Sequence, residues 1–442
     1  MKIFHIDPAA HQAGVRRAAS WLQANIQGDR VLWITGTNHP GLLELAHAGL
    51  GLGITTAITP PYLPDADATA YLLGPHLRVH DPSLRPWSDA RQQDLPSPRS
   101  RPMMATSGTS GHPRMVEPVM LDEADADLMH QDEYELWQPD PAGSQLVCSP
   151  LFHSAGYRSA TSALLAGTEV TLMERFDASS VLGAFTDLGV TGAFLVPTHL
   201  RRLLELDPAP IPRRPRRLLH AGEPCPPRVL EAATEILGPL GEFYGATEGQ
   251  FTLLEPTERR AYPGSVGRAR SGRRLEIRDQ AADGVGVVWC HTPDFTRFTY
   301  RGDRDATAKA WDADAFTVGD LGTLDEDGYL TLVSRREDLI ISGGVNIYPA
   351  MIERALCEHP SVRAAVALGL PDERWGQRLE VVLETEDDDL RGWVDQRLTG
   401  PYRPKALHRR QELPRTPSGK VDRACLLAGL VEGESGSPDE SP

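Results

Sequence analysis

What most constrains this chain is a series of short apolar strands that each stop at glycine or polar residues and give way to a helical stretch. Gln145 to Ser149 runs into Pro150-Leu151-Phe152-His153, Arg217 to His220 into Ala221-Gly222-Glu223-Pro224, and Gly241 to Tyr244 into Gly245-Ala246-Thr247-Glu248. Between them, Ser159 to Ala166, Ala178 to Leu188 and Pro227 to Leu237 read as helices, Glu169 to Met173 and Ala193 to Val196 as strands, and Thr198 as the N-cap of a helix to Leu206. Earlier, Val15 to Gln27 reads as an amphipathic helix, Arg30 to Thr37 as a buried strand, and His39 to Leu50 and Met120 to Leu136 as helical. The simplest α/β architecture for this alternation is a mostly parallel sheet with its site along one edge. His153, at a strand's C-terminal end, sits where open α/β sheets bind ligands, although a lone histidine also has an ordinary structural reading.

Residues 104–116 carry the densest chemistry. Thr106, Ser107, Thr109 and Ser110 supply four hydroxyls, Gly108 and Gly111 permit turns that a side chain would block, and Arg114 adds a fixed positive charge. Successive N–H groups in such a turn form a concavity for an anion, and a triphosphate is the natural guest. A polar surface loop is the plain alternative. The loop does not match G-x-x-x-x-G-K-[ST], and no G-x-S-x-G elbow occurs, so neither a P-loop NTPase nor an α/β-hydrolase serine is indicated. The Gly49 to Gly53 run fails the dinucleotide register at its last position and is read as close packing at a helix end.

With 442 residues, 40% of them hydrophobic, the chain can bury a sizeable core in two or three domains. A net charge of −16 argues against a nucleic-acid or anionic-membrane surface, so a charged cofactor must be met locally. Five scattered cysteines form no C-x-x-C pair, which speaks against a zinc site or disulfide framework, and no run of about 18 apolar residues could span a bilayer. A cytoplasmic protein is expected.

Beyond Pro263 shorter β elements suggest a β subdomain, in which Asp320, between Val318 and Leu321, reads as a ligand contact rather than a solvated charge. From Leu339 onward a βαββα-like pattern could pack alone, placing a domain boundary near Glu337. The acidic tail from Glu432 is expected to be disordered. Only four of the 45 basic residues are lysines, so Lys420, in the turn Arg415-Thr416-Pro417-Ser418-Gly419-Lys420, stands out although a solvated loop lysine is the usual reading.

The ordered set TSGTSGHPR, PLFHSAG, AGEP, YGATEG, GSVG, TVGDLG, SRRED, SGGVNIYP and PRTPSGK resembles the adenylate-forming superfamily of acyl-CoA synthetases, adenylation domains and luciferases, over roughly Val31 to Leu430. PLFHSAGYRSA, VTLMERFDA, HAGEPCPP and FYGATEG look most like bacterial acyl- or aryl-CoA synthetases. The resemblance implies a large N-terminal domain, 1–336, of mostly parallel sheets plus a β subdomain that binds ATP and substrate. It further implies a small mobile α+β lid, 337–430, with the catalytic lysine, and an acidic tail, 431–442.

It also implies roles. Thr106, Ser107, Gly108, Thr109, Ser110 and Gly111, with Arg114, hold the β- and γ-phosphates, while Thr247 touches the α-phosphate and Glu248 holds Mg²⁺. Tyr244, with Gly245 beside it, faces the adenine against the backbone of Gly222, Glu223 and Pro224, and Asp320 and Arg335 hold the ribose. Lys420 bridges the attacking carboxylate and the α-phosphate, His153 marks the mouth of the acyl pocket, and Gly343 and Gly344 line the approach of the pantetheine thiol. Glu337 falls at the hinge.

The chain departs from the family in Arg114 and Met115, where lysine and glycine are usual, in Glu337, where aspartate or lysine is commoner, and in Glu223, where many relatives have alanine. Only about 30 residues separate Ala70-Tyr71-Leu72 from the phosphate loop, a shortened N-terminal subdomain.

The leading expectation is an AMP-forming ligase that joins a small, medium-chain or aromatic acid to coenzyme A or a carrier-protein pantetheine arm, with ATP and Mg²⁺. Adenylation of another oxyacid such as nitrite with transfer to an amine, and a nucleotide-binding pseudoenzyme, are the alternatives, and a homo-oligomer is compatible with either.

Overall fold

The structure is a computed structural model, which describes residues 1–26, 31–61, 76–106, 114–415 and 421–435. The described chain divides into two compact units. The first comprises Met1–Thr106, Arg114–Leu275 and Cys290–Phe316, and the second Glu276–Trp289 and the chain from Thr317 onward.

In the first unit, strands Glu169–Met173, Ser144–Val147, Val190–Leu195, Arg217–His220 and Gly241–Glu242 lie side by side in that order, all parallel, with Ile3–Ile6 added antiparallel beside Glu169–Met173. The sequence did not single out Ile3–Ile6, which is too short to show a period, but its backbone completes the sheet edge. Helices Ser154–Leu165, Ala178–Asp187, Pro197–Leu204 and Pro227–Leu237 follow successive strands, as crossover connections between parallel strands require. Val147, Leu172, Val170 and Leu164 pack into one core, and Leu146, Leu195, Leu218 and Leu230 into another.

Two helix starts differ from the sequence reading. The first helix spans Pro8–Asn25 rather than beginning at Val15, because the Asp7 carboxylate accepts the Ala10 N–H at 2.8 Å and Pro8 takes the first position, where a missing N–H costs nothing. Thr198 is not an N-cap. The helix is Pro197–Leu204 with Val196 in the cap position, and the Thr198 N–H and hydroxyl both donate to Glu223, at 2.7 and 2.6 Å. Gly49 behaves as read, since helix Pro40–Gly51 is buried throughout and a Cβ at Gly49 would lie 2.6 Å from Thr56 Oγ1 and 2.7 Å from Leu32 Cδ2.

A small antiparallel sheet of Met104–Ala105, Met115–Pro118 and Phe298–Tyr300 frames the residues between Thr106 and Arg114. In the second unit Asp320–Leu324 and Leu330–Arg335 form a hairpin through the turn at Asp325, as expected. Further along, Val345–Ile347, Ile340–Ser342, Gly376–Glu384 and Ala364–Asp372 make an antiparallel sheet, to which Ala406–Arg410 adds in parallel beside Gly376–Glu384. Helices Pro349–Leu356 and Arg391–Arg397 bury Ile352, Leu356 and Val394 against one face, while Leu426 and Leu430 of helix Arg423–Ser435 join Val366 and Val382. That helix reaches Ser435, so the acidic tail begins in helical form.

Between the first two helices of the chain, His11 and His47 form a buried pair, hydrogen-bonded at 2.8 Å, and the second nitrogen of His47 lies 2.9 Å from Thr161 Oγ1. Burial, with Arg85 nearby, pushes His11 down to about 4, and burial, with His11 and His130 nearby, holds His47 well below the ordinary imidazole range. The native pair is neutral where the unfolded histidines take up protons, so its contribution is complete above about pH 6.5 and is lost as pH falls toward about 4. Urea midpoints measured at pH 7.5 and pH 5 should therefore fall with acid, and the His11→Gln, His47→Gln double variant should flatten part of that slope. An unchanged slope in the variant would assign the acid sensitivity to other groups.

Candidate active site

The stem of the hydroxyl-rich loop is closed on itself. The Thr106 N–H donates to Arg114 O at 2.8 Å and the Arg114 N–H to Thr106 Oγ1 at 3.0 Å, fixing where the loop leaves and rejoins the small sheet. Ser107, Gly108, Thr109, Ser110 and Gly111 lie outside the described residues. The Arg114 guanidinium is half exposed, 3.6 Å from Asp303 and over the Tyr300 ring.

Tyr300 pairs with Val116 in that sheet, and its phenol donates to Glu248 Oε1 at 2.7 Å. Nothing in the sequence singles out Tyr300. Its position one strand from the loop stem is visible only once Phe298–Tyr300 has paired with Met115–Pro118. Glu248 is buried, and Thr247 is half-buried beside it. Their turn is tight, with the Ala246 N–H donating to Gly249 O at 2.7 Å, and a Cβ at Gly245 would come 2.8 Å from that same carbonyl. Met104, Val116, Ser154, Thr247 and Glu248 line one small hollow, so the loop stem, the GATEG turn and the first residue of helix Ser154–Leu165 meet there.

Tyr244 is buried with its ring against Phe251, 4.8 Å between centroids. Gly222 holds φ at +98°, a conformation that favours glycine, and so turns the chain after strand Arg217–His220. The Glu223 carboxylate is engaged by Thr198 and, at 3.7 Å, by Arg201, while Pro224 is exposed, so the new carboxylate caps helix Pro197–Leu204.

His153 directly precedes helix Ser154–Leu165, its ring 4.8 Å from that of Phe152. The segment is pinned by Asn38, a buried residue the sequence reading passed over. Its amide donates to Ser149 O and Met173 O at 3.0 and 2.9 Å, and its oxygen accepts the Leu151 N–H at 2.7 Å. An asparagine at a strand end in an apolar context was the available signal.

In the second unit Asp320 is buried and faces Arg335 across the hairpin, Arg335 Nε lying 3.4 Å from Asp320 Oδ1. Gly343 and Gly344 take φ of +58° and +81° in the turn between Ile340–Ser342 and Val345–Ile347. A Cβ at Gly343 would meet the Trp375 ring at 2.7 Å. Lys420 lies outside the described residues, between Arg415 and Val421, which bridge to each other.

The donor set suits a hard divalent cation of the Mg²⁺ kind, which takes one or two carboxylates and completes its shell with phosphate oxygens and water. Glu248 supplies one carboxylate on a fixed strut. Among the described residues no group of three or more His, Cys, Asp or Glu side chains could hold a metal.

Residues 81–298 match the model of the AMP-binding enzyme family, and residues 351–420 that of the AMP-binding enzyme C-terminal domain. The chain belongs to this family, the AMP-forming, adenylate-forming ligases. It is 31% identical to a 2-succinylbenzoate–CoA ligase of Bacillus licheniformis over 73% of this chain and 69% of that one. To the ligase of the same name from Bacillus pumilus it is 29% identical, over 91% and 89%. The solved o-succinylbenzoate CoA synthetase of Bacillus subtilis, in complex with its acyl-adenylate intermediate, shares the fold at a TM-score of 0.81 and 24% identity, covering 98% of this chain and 94% of that one. In complex with ATP and magnesium ion, the same synthetase gives 0.79 at 24% identity, over 93% and 92%.

If Tyr300 holds Glu248 for the metal, Tyr300→Phe should raise the Mg²⁺ concentration needed for half-maximal AMP formation by about tenfold, the worth of one hydrogen bond to a charged group. Titrating Mg²⁺ at saturating ATP checks this, and an unshifted requirement would reduce the contact to packing.

Proposed function

We propose that this chain activates a compact aromatic carboxylic acid as its acyl-adenylate and passes the acyl group to coenzyme A. The observation that carries the reading is the buried Glu248 carboxylate, fixed by Tyr300 and meeting the stem of the phosphate loop in one hollow with Thr247 and Ser154. The likeness to two 2-succinylbenzoate–CoA ligases, one of them over 91% of this chain, supports both the aromatic acid and the acceptor.

In the first step an oxygen of the acid's carboxylate attacks the α-phosphorus of ATP, the bond to the bridging oxygen of the β-phosphate breaks, and pyrophosphate leaves. The loop from Thr106 to Gly111, with Arg114, is assigned to the departing phosphates, and Thr247 to the α-phosphate. Mg²⁺, held at Glu248, would neutralise charge on the phosphate oxygens. Tyr244, the backbone of Gly222 to Pro224 and Gly245 are assigned to the adenine, and Asp320 with Arg335 to the ribose. For Glu223 the assignment falls on the backbone, since its carboxylate already serves Thr198 and Arg201.

Lys420 is assigned to the pentavalent transition state, where a compact ammonium stabilises charge spread over the α-phosphate and the entering oxygen. In the second step the thiolate of coenzyme A attacks the acyl carbonyl and AMP leaves, with His153 at the pocket mouth and Gly343-Gly344 along the thiol's approach. A rotation at Glu337 exchanging the two steps is part of the same proposal.

A panel of acids read by AMP release, with and without coenzyme A, tests the reading. An aromatic acid should give acid-dependent AMP, faster when coenzyme A is present. Lys420→Ala should lower adenylation by about 10² to 10³ while ATP still binds, the usual loss for one transition-state donor. AMP formation indifferent to the acid, or to Lys420, would sink it.

A further inference from the structure

Directly before the two segments assigned to adenine, a single guanidinium ties their strands together. Arg217–His220 and Gly241–Glu242 are parallel neighbours with His220 opposite Glu242, and the Phe243 N–H donates to His220 O at 3.2 Å. Gly222 to Pro224 follow the first strand and Tyr244 follows the second. Arg259 Nη1 donates to Glu242 Oε2 at 2.8 Å, while its Nη2 reaches both His220 Nε2 and Leu240 O at 3.2 Å. One planar fork thus engages a side chain of each strand and the carbonyl that leads into the second.

The chemistry of this contact is one-sided. A guanidinium has no acceptor, so His220 Nε2 must accept, which puts the imidazole proton on Nδ1 and keeps the ring neutral. Burial holds His220 below its ordinary range, in keeping with that neutral form. The ring is fully buried and its Nδ1 has no hydrogen-bond partner among the described residues, so Arg259 is what orients it. A lysine, a point charge without a fork, could not meet three acceptors in this way. The turn that carries Arg259 is fastened to the same strand a second time, because Glu255 accepts from Arg217 Nη1 at 3.0 and 2.7 Å at the strand's first residue. Glu255 therefore holds the turn where the strand begins, and Arg259 acts where it ends.

Gly222 turns the chain two residues beyond His220, at a φ of +98°, and a turn set by its backbone moves with the strand end that feeds it. We propose that Arg259 is a positioning residue for the adenine of ATP. By locking the two strand ends in register, it sets the spacing between the backbone of Gly222 to Pro224 and the Tyr244 ring, and with it the preference for adenine over another purine. Backbone groups held at fixed places tell the amino group of adenine from the oxygen that hypoxanthine carries there, because the wrong base leaves them unpaired. The proposal rests on the ligase reading above and adds how its nucleotide is selected.

The test compares ATP with inosine triphosphate, following pyrophosphate release from the intact protein with the best acid of the panel above. Wild type should prefer ATP by at least about tenfold in kcat/KM, the cost of leaving a buried polar group unpaired. Arg259→Gln should raise KM for ATP by about fivefold or more, leave KM for the acid unchanged and bring the nucleotide ratio toward one. Because that change alone strands Glu242, Arg259→Gln is also made together with Glu242→Gln, and the same collapse is expected. Arg259→Lys should not restore the ratio. Glu255→Gln is the control: it loosens the turn at the far end of the strand and should lower Tm while the ratio stands. An unchanged ratio in the paired variant, an equal fall in Glu255→Gln or full rescue by lysine overturns the positioning role while the ligase reading survives. Wild-type indifference to the base overturns it equally. If no acid yields pyrophosphate, the ligase reading fails and takes this role with it.

Discussion

A carboxylate cannot be buried without donors that replace its water, and three of the buried carboxylates of the first unit lie around its hollow and the helix beside it. Glu248 is held by the Tyr300 phenol, Glu133 by Arg158 and the Trp137 indole, and Asp132 by Arg270 and Arg273. Apart from the Trp137 bond, which lies within one helix, these bonds join segments distant in the chain: residue 300 to 248, 158 to 133, and 273 to 132. Remove one donor and the charge it serves is stranded, which is worse than never having buried it. These contacts therefore fix how the small sheet at the loop stem, helix Glu123–Trp137 and the GATEG turn meet. The chemistry assigned to the hollow depends on that registration.

Much of the scaffold was legible because its signals are local. Strands Glu169–Met173 and Arg217–His220 and helix Pro227–Leu237 have the boundaries read from the sequence, since their apolar runs stop sharply at proline, glycine or charged residues. The mostly parallel sheet followed from the alternation alone. Ile3–Ile6 was not legible, because an edge strand of four residues carries no period to detect. The Asp7-Pro8 start was written in the sequence as a cap and a first-position proline, but the apolar periodicity that begins later drew the boundary inward.

The site was legible in a different proportion. Motifs contiguous in the chain, such as Gly245 to Glu248, announce themselves by composition. Tyr300, Asn38 and Arg259 do not, because a tyrosine in a strand or an arginine in a turn has the same letter whether it is solvated or engaged. In a chain where nearly every cation is arginine, the count conceals which few are inside. Glu223 illustrates the converse. It stands out in the sequence only as a departure from the alanine of many relatives, whereas pairing with Thr198 makes it the acceptor that helix Pro197–Leu204 lacks in its own cap residue, since Val196 has no polar side chain.

Helix Ser154–Leu165 joins the hollow at Thr247 and Glu248 to the buried Arg158–Glu133 pair. Its N-terminus follows His153 and is held in place through the contacts of Asn38 with Ser149 and Leu151. One turn further in, Arg158 is set by Glu133. With a rise of about 1.5 Å per residue, the helix holds these two features at a short fixed separation. A rigid helix fixes such a separation better than a loop would. That is a physical reason for placing polar residues on an element that is otherwise buried, where each hydroxyl and guanidinium carries a desolvation cost that only a well-fitted partner offsets.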